Sequence, residues 1–352
     1  MVPHTIEIGG HLIGEGHPVF IIAEAGVNHN GDLYPAHRLV DVAARSGADA
    51  VKFQTAVPER VVSRYADKAN YQMKTTDAAE SQLKMVRKLH PFTPEDFRRL
   101  KEYAESKDIL FLSSPFDELS IDLLDSLDVA AFKMPSGEIT NVPFLRRMAA
   151  TGRPIIMSTG MSTLGEVETA LLEIEQAGND DVVILHCLSN YPADPAETNL
   201  RAMETMANSF GRWVGYSDHT PGIEIALAAV AMGARVIEKH FTVDRDLPGP
   251  DHKASLTERE LTDMVRGIRI VESAIGNGLK VPAPSEMNTA AVARKSLVAA
   301  KDIAAGTVLT EDLIEIKRPG TGLPPAMLPQ MVGRTVAEDV SEDTILTLDI
   351  LR

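Results

Sequence analysis

The sequence has little cysteine, few basic residues and no long apolar run, and each shortage excludes a class of protein. A single cysteine, Cys187, cannot form an intrachain disulfide and agrees with a reducing compartment. The formal net charge of -15 argues against binding to nucleic acid or to anionic membranes, both of which need a basic surface. The longest nearly apolar stretch, 225–234, is too short to span a bilayer, and no signal peptide is visible at the start. We therefore expect a cytoplasmic protein that binds neither nucleic acid nor membranes.

A repeated pattern of short apolar runs and amphipathic stretches occupies the chain from about residue 19 to residue 276. Each run is rich in β-branched residues, and a helical stretch follows it, as at Thr163, which forms a capping-box sequence with Glu166. The runs are 20–23, 50–53, 109–112, 130–133, 154–157, 182–185, 213–216 and 235–238. Eight strand–helix units in series predict an α/β fold, a parallel, closed (β/α)₈ TIM barrel. An open doubly wound sheet is the alternative, and the count of eight favours closure.

Two segments of the first 280 residues lie outside this repeat. Residues 6–13 predict a β-hairpin that turns at Gly9-Gly10 and plugs the N-terminal end of the barrel. The segment 56–92 is long for a connection between a barrel strand and its helix. Because loops after barrel strands lie on the catalytic face, this segment is predicted to be a lid or a dimer arm. We expect a catalytic domain at 1–280, with the hairpin inside 1–17.

The pattern changes after residue 280. The proline-containing stretch 281–292 predicts a linker, and 293–352 predicts a small β-rich domain. The predicted strands of this domain are 296–300, 305–309 and 314–317, and a glycine-rich loop follows at 318–322. The segment is short for an independent core, so we expect it to pack on a barrel.

Polar side chains follow the apolar runs, at the positions where catalytic groups of such barrels lie. These residues are Glu24, Lys52, Gln54, Ser113, Ser114, Lys133, Ser136, Ser158, Thr159, His186, Ser189, Tyr191, Ser217, Asp218, His219, Lys239 and His240. Lysines and hydroxyls around one cavity suit a ligand with a phosphate and a carboxylate, since ammonium groups supply charge and hydroxyls supply donors. The sequence therefore predicts a small phosphorylated acid as ligand.

Two histidines and three carboxylates are the candidates for the chemistry. His219 and His240 end neighbouring strands, and neutral imidazoles there are able to bind one divalent metal with positions left open for water and substrate. The alternative is a pair of hydrogen-bonding histidines without a metal. Glu24 interrupts an apolar strand end and is a candidate general acid or base, or a salt-bridge partner of a lysine. Glu138 and Asp251, the latter in the stiff loop 248–255, are its rivals.

Several ordered motifs resemble the bacterial sialic acid (N-acetylneuraminate) synthase family, which includes N,N'-diacetyllegionaminate synthases. The motifs are AEAGVNHNG at 23–31, VKFQT at 51–55, KMPSGE at 133–138, STGM at 158–161, YSDHT at 216–220, EKHFT at 238–242 and GPDH at 249–252. In the tail, DIAAG at 302–306 and KRPG at 317–320 are similar to the family's antifreeze-like SAF domain, a β-clip fold. The resemblance covers essentially the whole chain.

The resemblance implies a domain-swapped homodimer and a divalent metal, most often Mn²⁺, with Mg²⁺ or Co²⁺ as alternatives, at His219 and His240. The catalytic residues would be Glu24, His219, His240 and Asp251. Phosphoenolpyruvate would be bound by Lys52, Ser114, Lys133, Ser136, Ser158, Ser189 and Ser217. The sugar would be contacted by Gln54, Tyr191 and Arg318, the last of these reaching in from the partner subunit. Ser114 and Ser189 replace the threonine and the asparagine that many members have.

The implied reaction joins phosphoenolpyruvate to an N-acylated amino-sugar aldehyde and releases phosphate. Members use N-acetylmannosamine or 2,4-diacetamido-2,4,6-trideoxy hexoses, which give neuraminate, legionaminate or pseudaminate. The segments 69–76 and 80–83 resemble neuraminate and legionaminate synthases more than pseudaminate synthases, and 137–141 favours legionaminate. The rival hypotheses are another phosphoenolpyruvate-using or metal-dependent barrel aldolase, and a non-enzymatic sugar-binding or ice-binding protein.

Overall fold

The computed structural model describes residues 4–352, and the chain divides into two compact units, Met1–Gly276 and Asn277–Arg352. The first unit opens with the predicted hairpin, whose strands β1 (Ile6–Ile8) and β2 (His11–Ile13) are antiparallel and joined at Gly9-Gly10. Both glycines have positive φ, which a two-residue hairpin turn of this kind requires. Ile8 and Ile13 of the hairpin pack into the same apolar cluster as residues at the start of the barrel strands. The hairpin therefore plugs the N-terminal end of the barrel, as predicted.

Eight parallel strands form the barrel and confirm the predicted fold class. They are β3 (Phe20–Gly26), β4 (Ala50–Thr55), β5 (Leu110–Pro115), β6 (Phe132–Met134), β7 (Ile155–Ser158), β8 (Val182–Cys187), β9 (Val214–Asp218) and β10 (Val236–His240). Their hydrogen-bonded order is β5-β4-β3-β10-β9-β8-β7-β6, and β5 lies beside β6 at the remaining seam. This circular order excludes the open doubly wound sheet.

Helices pack around the strands and enclose the larger apolar cluster. They are α1 (Leu33–Arg45), α2 (Pro58–Val61), α3 (Asn70–Thr75), α4 (Gln82–Leu89), α5 (Pro94–Glu105), α6 (Glu118–Ser126), α7 (Val142–Ala149), α8 (Leu164–Gln176), α9 (Arg201–Phe210), α10 (Glu224–Ala231) and α11 (Glu258–Ile275). The capping box predicted at Thr163 and Glu166 is present, and each side chain accepts the other's backbone N–H. Within residues 4–352, none of the helices is long and apolar enough to cross a membrane.

The long segment after β4 folds into α2, α3 and α4. A buried lysine, Lys68, holds this segment together: its ammonium donates to the Thr76 hydroxyl at 2.9 Å, the Asp77 carbonyl at 2.8 Å and the Glu80 carboxylate at 3.3 Å. The Ser81 hydroxyl caps α4 by accepting from the backbone N–H of Lys84. Helix α4 is thus fixed in position by local contacts of the segment.

The second unit has its own apolar core and one two-stranded antiparallel sheet, β11 (Ser296–Ala299) and β12 (Ile314–Lys317). Two short helices, α12 (Met287–Ala293) and α13 (Leu328–Met331), belong to it, so helix occupies part of the predicted linker 281–292. The predicted strand at 305–309 is wrong. Residues 305–306 form a turn, and Val308 makes only an isolated bridge to Thr335, so no continuous strand forms there.

Candidate active site

A cavity of about 460 Å³ lies at the C-terminal ends of the barrel strands. The structure brings twelve of the predicted site residues together around it: Glu24, Lys52, Gln54, Ser114, Lys133, Ser136, Ser158, Ser189, Tyr191, Ser217, His219 and His240. Asp251 lines a second, smaller cavity beside it. Arg318 lies in the second unit, where its side chain is exposed, and its predicted role in a partner subunit's site stays a prediction.

One half of the cavity floor is organised by Lys52 on β4. Its ammonium lies 2.8 Å from the Glu24 carboxylate, donates to the Ser114 hydroxyl at 2.9 Å, and lies 3.6 Å from the Glu238 carboxylate. The amide of Gln54 donates to the other oxygen of Glu24 at 3.4 Å. The strand register explains this cluster, because Glu24 pairs with Lys52 in adjacent parallel strands. A buried cation and a buried carboxyl group therefore touch at the mouth of the barrel.

The other half is organised by Lys133 on β6. Its ammonium donates to the Ser158 hydroxyl at 2.7 Å and lies 3.6 Å from Glu238. The Ser217 hydroxyl donates to Glu238 at 2.9 Å. Glu238 thus lies between both lysines and neutralises part of their charge. An entering dianion or trianion would find two ammonium groups and three hydroxyls already grouped around one space.

The two carboxyl groups of this cluster have opposite pKa shifts. Burial raises the pKa of Glu24 to about 7, although the adjacent Lys52 ammonium opposes the shift. Burial also acts on Glu238, but Lys133, Lys52 and the Ser217 hydroxyl outweigh it and lower its pKa to about 2. Burial lowers the pKa of Lys133 below its ordinary value. Glu24 is therefore the carboxyl group that exchanges a proton near neutral pH, while Glu238 stays ionised.

The histidine pair closes the cavity on the β9–β10 side. The ring centroids of His219 and His240 are 5.4 Å apart. The Nδ1 atom of His219 lies 2.8 Å from the Leu188 carbonyl, which only accepts, so in the neutral ring Nδ1 carries the proton and Nε2 keeps its lone pair. The buried Nδ1 atom of His240 has no hydrogen-bond partner among residues 4–352. Within that range no group of three or more His, Cys, Asp or Glu side chains is arranged to hold a metal, and the two histidines stay predicted ligands.

The loop that carries Asp251 is held against the end of β10. The Ser255 hydroxyl donates to the Asp251 carbonyl at 2.7 Å, and the Asn28 amide donates to the Ser255 hydroxyl at 2.9 Å. The buried ring of His252 is 2.8 Å from the Thr242 hydroxyl. Burial raises the pKa of the Asp251 carboxyl group to about 6, with His219 and Lys52 opposing. The third rival, Glu138, accepts a hydrogen bond from Asn141 instead.

Aromatic rings form the wall next to the histidines. The Tyr191 ring lies 4.1 Å from the His219 ring and 5.1 Å from the Tyr71 ring, measured between centroids. Tyr71 and Gln72 come from α3, so the segment 56–92 contributes to the cavity of its own chain. This placement agrees with the predicted lid.

Sequence reasoning missed Glu238. It also wrongly placed five residues at the cavity, namely Ser113, Thr159, His186, Asp218 and Lys239. Side chains alternate along a strand, so Glu238 and His240 face the barrel interior while Lys239 faces the helices. There, the Lys239 ammonium lies 2.7 Å from the Asp218 carboxylate, and both side chains are fully buried. The sequence does contain the signal for Glu238: it lies two residues before His240 on the same strand, so the two side chains face the same side.

The Asp218→Ala variant is expected to lose about 3–5 kcal/mol of unfolding free energy, because it leaves the Lys239 ammonium buried without its counter-ion. Urea denaturation followed by circular dichroism measures the change. The double variant with Asp218→Leu and Lys239→Met is the control, and it should recover most of the loss since no buried charge remains. A loss below about 1 kcal/mol in the single variant would show that this ion pair is not structurally required.

Comparisons with known proteins agree with this geometry. The NeuB family model matches residues 39–280, and the SAF domain model matches residues 294–352. The chain is 47% identical to N,N'-diacetyllegionaminic acid synthase of Campylobacter jejuni, over 93% of this chain and 98% of that protein. It is 37% identical to human N-acetylneuraminate-9-phosphate synthase, over 97% and 95% of the two chains.

The crystal structure of N-acetylneuraminic acid synthetase from Leptospira borgpetersenii, in complex with citrate, superposes with a TM-score of 0.71. It is 36% identical to this chain and covers 81% of it, and the match covers 95% of the Leptospira chain. The matches to the Campylobacter and human proteins cover 93% and 97% of this chain and so include both the barrel and the C-terminal domain, as the resemblance of the motifs implied. The chain is therefore an enzyme of the NeuB family, the family of sialic, legionaminic and pseudaminic acid synthases, with a C-terminal SAF domain.

Proposed function

We propose that this enzyme condenses phosphoenolpyruvate with the open-chain aldehyde of an N-acylated amino-sugar and releases phosphate. The sugar is N-acetylmannosamine or 2,4-diacetamido-2,4,6-trideoxymannose, and the product is the corresponding nonulosonic acid. The observation that carries the proposal is the grouping of Lys52, Lys133 and three serine hydroxyls in one cavity beside two imidazoles. The names of the related synthases support it.

The two lysines are proposed to bind the anionic groups of phosphoenolpyruvate. Its phosphate and carboxylate need concentrated positive charge, because the protein as a whole carries a formal net charge of -15. Lys52 and Lys133 supply that charge inside the barrel, and Ser114, Ser158 and Ser217 supply hydroxyl donors. Ser136 and Ser189 line the same cavity and are proposed to complete the set.

The proposed reaction forms one carbon–carbon bond and one carbon–oxygen bond to water, and it breaks the carbon–oxygen bond to phosphate. The C3 carbon of phosphoenolpyruvate attacks the aldehyde carbon of the sugar, whose oxygen takes up a proton. The C2 carbon becomes an oxocarbenium-like centre, and water adds to it with loss of a proton. The tetrahedral product then expels phosphate by cleavage of the C2–O bond. Glu24 is proposed to handle one of the two protons, since burial raises its pKa to about 7.

The histidine pair is proposed to hold a divalent metal, with Mn²⁺ the first choice and Mg²⁺ or Co²⁺ as alternatives. The residues fit such an ion, because Nε2 of His219 keeps its lone pair and Nδ1 of the buried His240 has no partner within residues 4–352. When bound, a divalent cation would act as a Lewis acid toward the sugar carbonyl. Asp251, buried beside the pair, is proposed to orient the sugar. The resemblance further supports a cytoplasmic, domain-swapped homodimer in which Arg318 of the partner subunit reaches the N-acyl group.

The test is phosphate release from phosphoenolpyruvate with Mn²⁺, with N-acetylmannosamine and the diacetamido sugar in parallel. We expect release that depends on sugar, and the Lys52→Met variant should lose about 10²–10³-fold in kcat/KM, because it removes one preorganised charge contact. A reaction without sugar is the control for phosphatase contamination. No release with either sugar would contradict the proposal. Release only with a sugar phosphate would indicate either a 9-phosphate synthase, as the human relative is named, or a different barrel aldolase.

A further inference from the structure

A second cavity of about 230 Å³ lies beside the first and has a different chemical character. Helices of the 56–92 segment supply one wall, with Val61 from α2 and Met85 and Leu89 from α4. Phe116, after β5, lies on the barrel side. Among the described residues that line this cavity there is no lysine or arginine, and Asp251 is its one carboxylate. Uncharged polar side chains and histidines complete the lining: Gln54, Tyr71, Gln72, His90, Tyr191 and His240. The larger cavity suits anions, whereas the wall that α2 and α4 supply in this one suits apolar groups.

The two cavities adjoin at the reactive end of the site. Gln54, Tyr191 and His240 line both of them. A sugar whose aldehyde carbon lies near His240 and phosphoenolpyruvate therefore extends its remaining carbons toward the smaller cavity. The substituents at the far end of the sugar meet side chains of α2 and α4 rather than the lysine cluster.

The two candidate sugars differ at that far end. N-acetylmannosamine carries hydroxyl groups at C4 and C6, and a hydroxyl placed against the apolar wall of α2 and α4 loses its hydrogen bonds to water without gaining a partner there. The diacetamido sugar carries an acetamido group at C4 and a methyl group at C6, which gain from contact with apolar side chains. We propose that Val61, Met85 and Leu89 form a specificity pocket that binds the C4 acetamido and C6 methyl groups, and so select the diacetamido-trideoxy sugar.

Local contacts hold the residues of the pocket wall in position. Met85 and Leu89 are four residues apart on α4, so both side chains lie on the same face of the helix. The buried Lys68 ammonium ties together the loop before α4 through Thr76 and Glu80. Leu83 is on the same helix and is also partly buried, but it lies outside the lining of the cavity. It is therefore a matched control position.

The experiment compares kcat/KM for the two sugars, at saturating phosphoenolpyruvate and Mn²⁺, in the wild type, Leu89→Gln and Leu83→Gln. This inference rests on the proposed reaction. We expect the wild type to prefer the diacetamido sugar, and Leu89→Gln to lower kcat/KM for that sugar by at least about tenfold, the effect of losing a hydrophobic contact in a selective pocket. Its kcat/KM for N-acetylmannosamine and its KM for phosphoenolpyruvate should change by less than about threefold. Leu83→Gln should leave all three values within that range.

Several outcomes would overturn the inference. They are a wild type that prefers N-acetylmannosamine, an equal loss for both sugars in Leu89→Gln, or the same loss in Leu83→Gln, and each leaves the proposed reaction standing. A wild type that releases no phosphate with either sugar refutes the proposed reaction and this inference with it. If thermal melting shows that Leu89→Gln does not fold, the Val61→Ser variant on α2 is measured instead. We expect it to show the same selective loss of kcat/KM for the diacetamido sugar.

Discussion

Replacing Glu24 by glutamine is expected to lower kcat by about 10²–10⁴-fold, the contribution of a well-placed general acid or base. Glu24 is buried against Lys52 and Gln54, and its pKa of about 7 lets it carry a transferable proton under working conditions. Glutamine keeps the size of the side chain and a hydrogen-bonding oxygen but has no proton to transfer. Steady-state phosphate release measures kcat, and the KM for phosphoenolpyruvate should change much less.

The pH dependence shows which proton Glu24 handles. A bound anion beside Lys52 adds negative charge near Glu24 and favours its protonated form. We therefore expect Glu24 to act as the acid that protonates the sugar oxygen, so that kcat/KM falls as the pH rises through about 7. This fall should be missing in Glu24→Gln. A wild-type rate that instead falls as the pH drops below about 7 would assign Glu24 as the base for water.

Glu138→Gln is the matched control, because Glu138 was a rival carboxylate in the sequence and its side chain accepts from Asn141 outside the lysine cluster. We expect this variant to keep kcat within about threefold of the wild type. A larger loss in Glu138→Gln than in Glu24→Gln would transfer the acid–base role to Glu138.

The barrel could be predicted from the sequence because the pattern of an apolar run followed by a helical stretch is local and is repeated eight times. Each strand is a short apolar run. An error of one or two residues in the bounds of a run does not change the prediction of eight parallel strands in a barrel. The position of most site residues follows from one rule, that polar groups after these runs meet at the C-terminal face. The errors at Glu238 and Lys239 come from applying this rule without the two-residue alternation of a strand.

The smaller cavity could not be predicted from the sequence, for a different physical reason. Its wall depends on how α2 and α4 pack over the barrel mouth, which no periodic pattern specifies. Lys68 stabilises that packing through its buried hydrogen bonds, but nothing in the sequence distinguishes it from an ordinary surface lysine. The predicted strand at 305–309 is wrong for a related reason, because an apolar run next to a glycine turn does not specify whether a neighbouring segment will pair with it, and here only Val308 forms a bridge.

The His219→Ala variant is expected to lose metal-dependent turnover by about 10³-fold or more, because a Lewis-acid contact is worth several kcal/mol of transition-state stabilisation. With the Nδ1 proton donated to Leu188, the remaining nitrogen of His219 is one of two imidazole lone pairs at the cavity. Removing it leaves His240 alone, which is too few ligands for tight binding. Equilibrium dialysis with Mn²⁺ should find about one ion per wild-type chain and none on the variant.

His186→Gln serves as the control, since His186 is the last residue but one of the neighbouring strand β8 and its Nε2 atom lies 2.6 Å from the Thr198 carbonyl. This variant should bind Mn²⁺ as the wild type does, and a chelator should abolish phosphate release by both proteins. Near-normal activity of His219→Ala would overturn the metal assignment, because Glu24 and the lysine cluster would then be enough to activate the sugar aldehyde. Lost activity with undiminished Mn²⁺ binding would place the ion elsewhere and leave His219 as a hydrogen-bonding group of the sugar site.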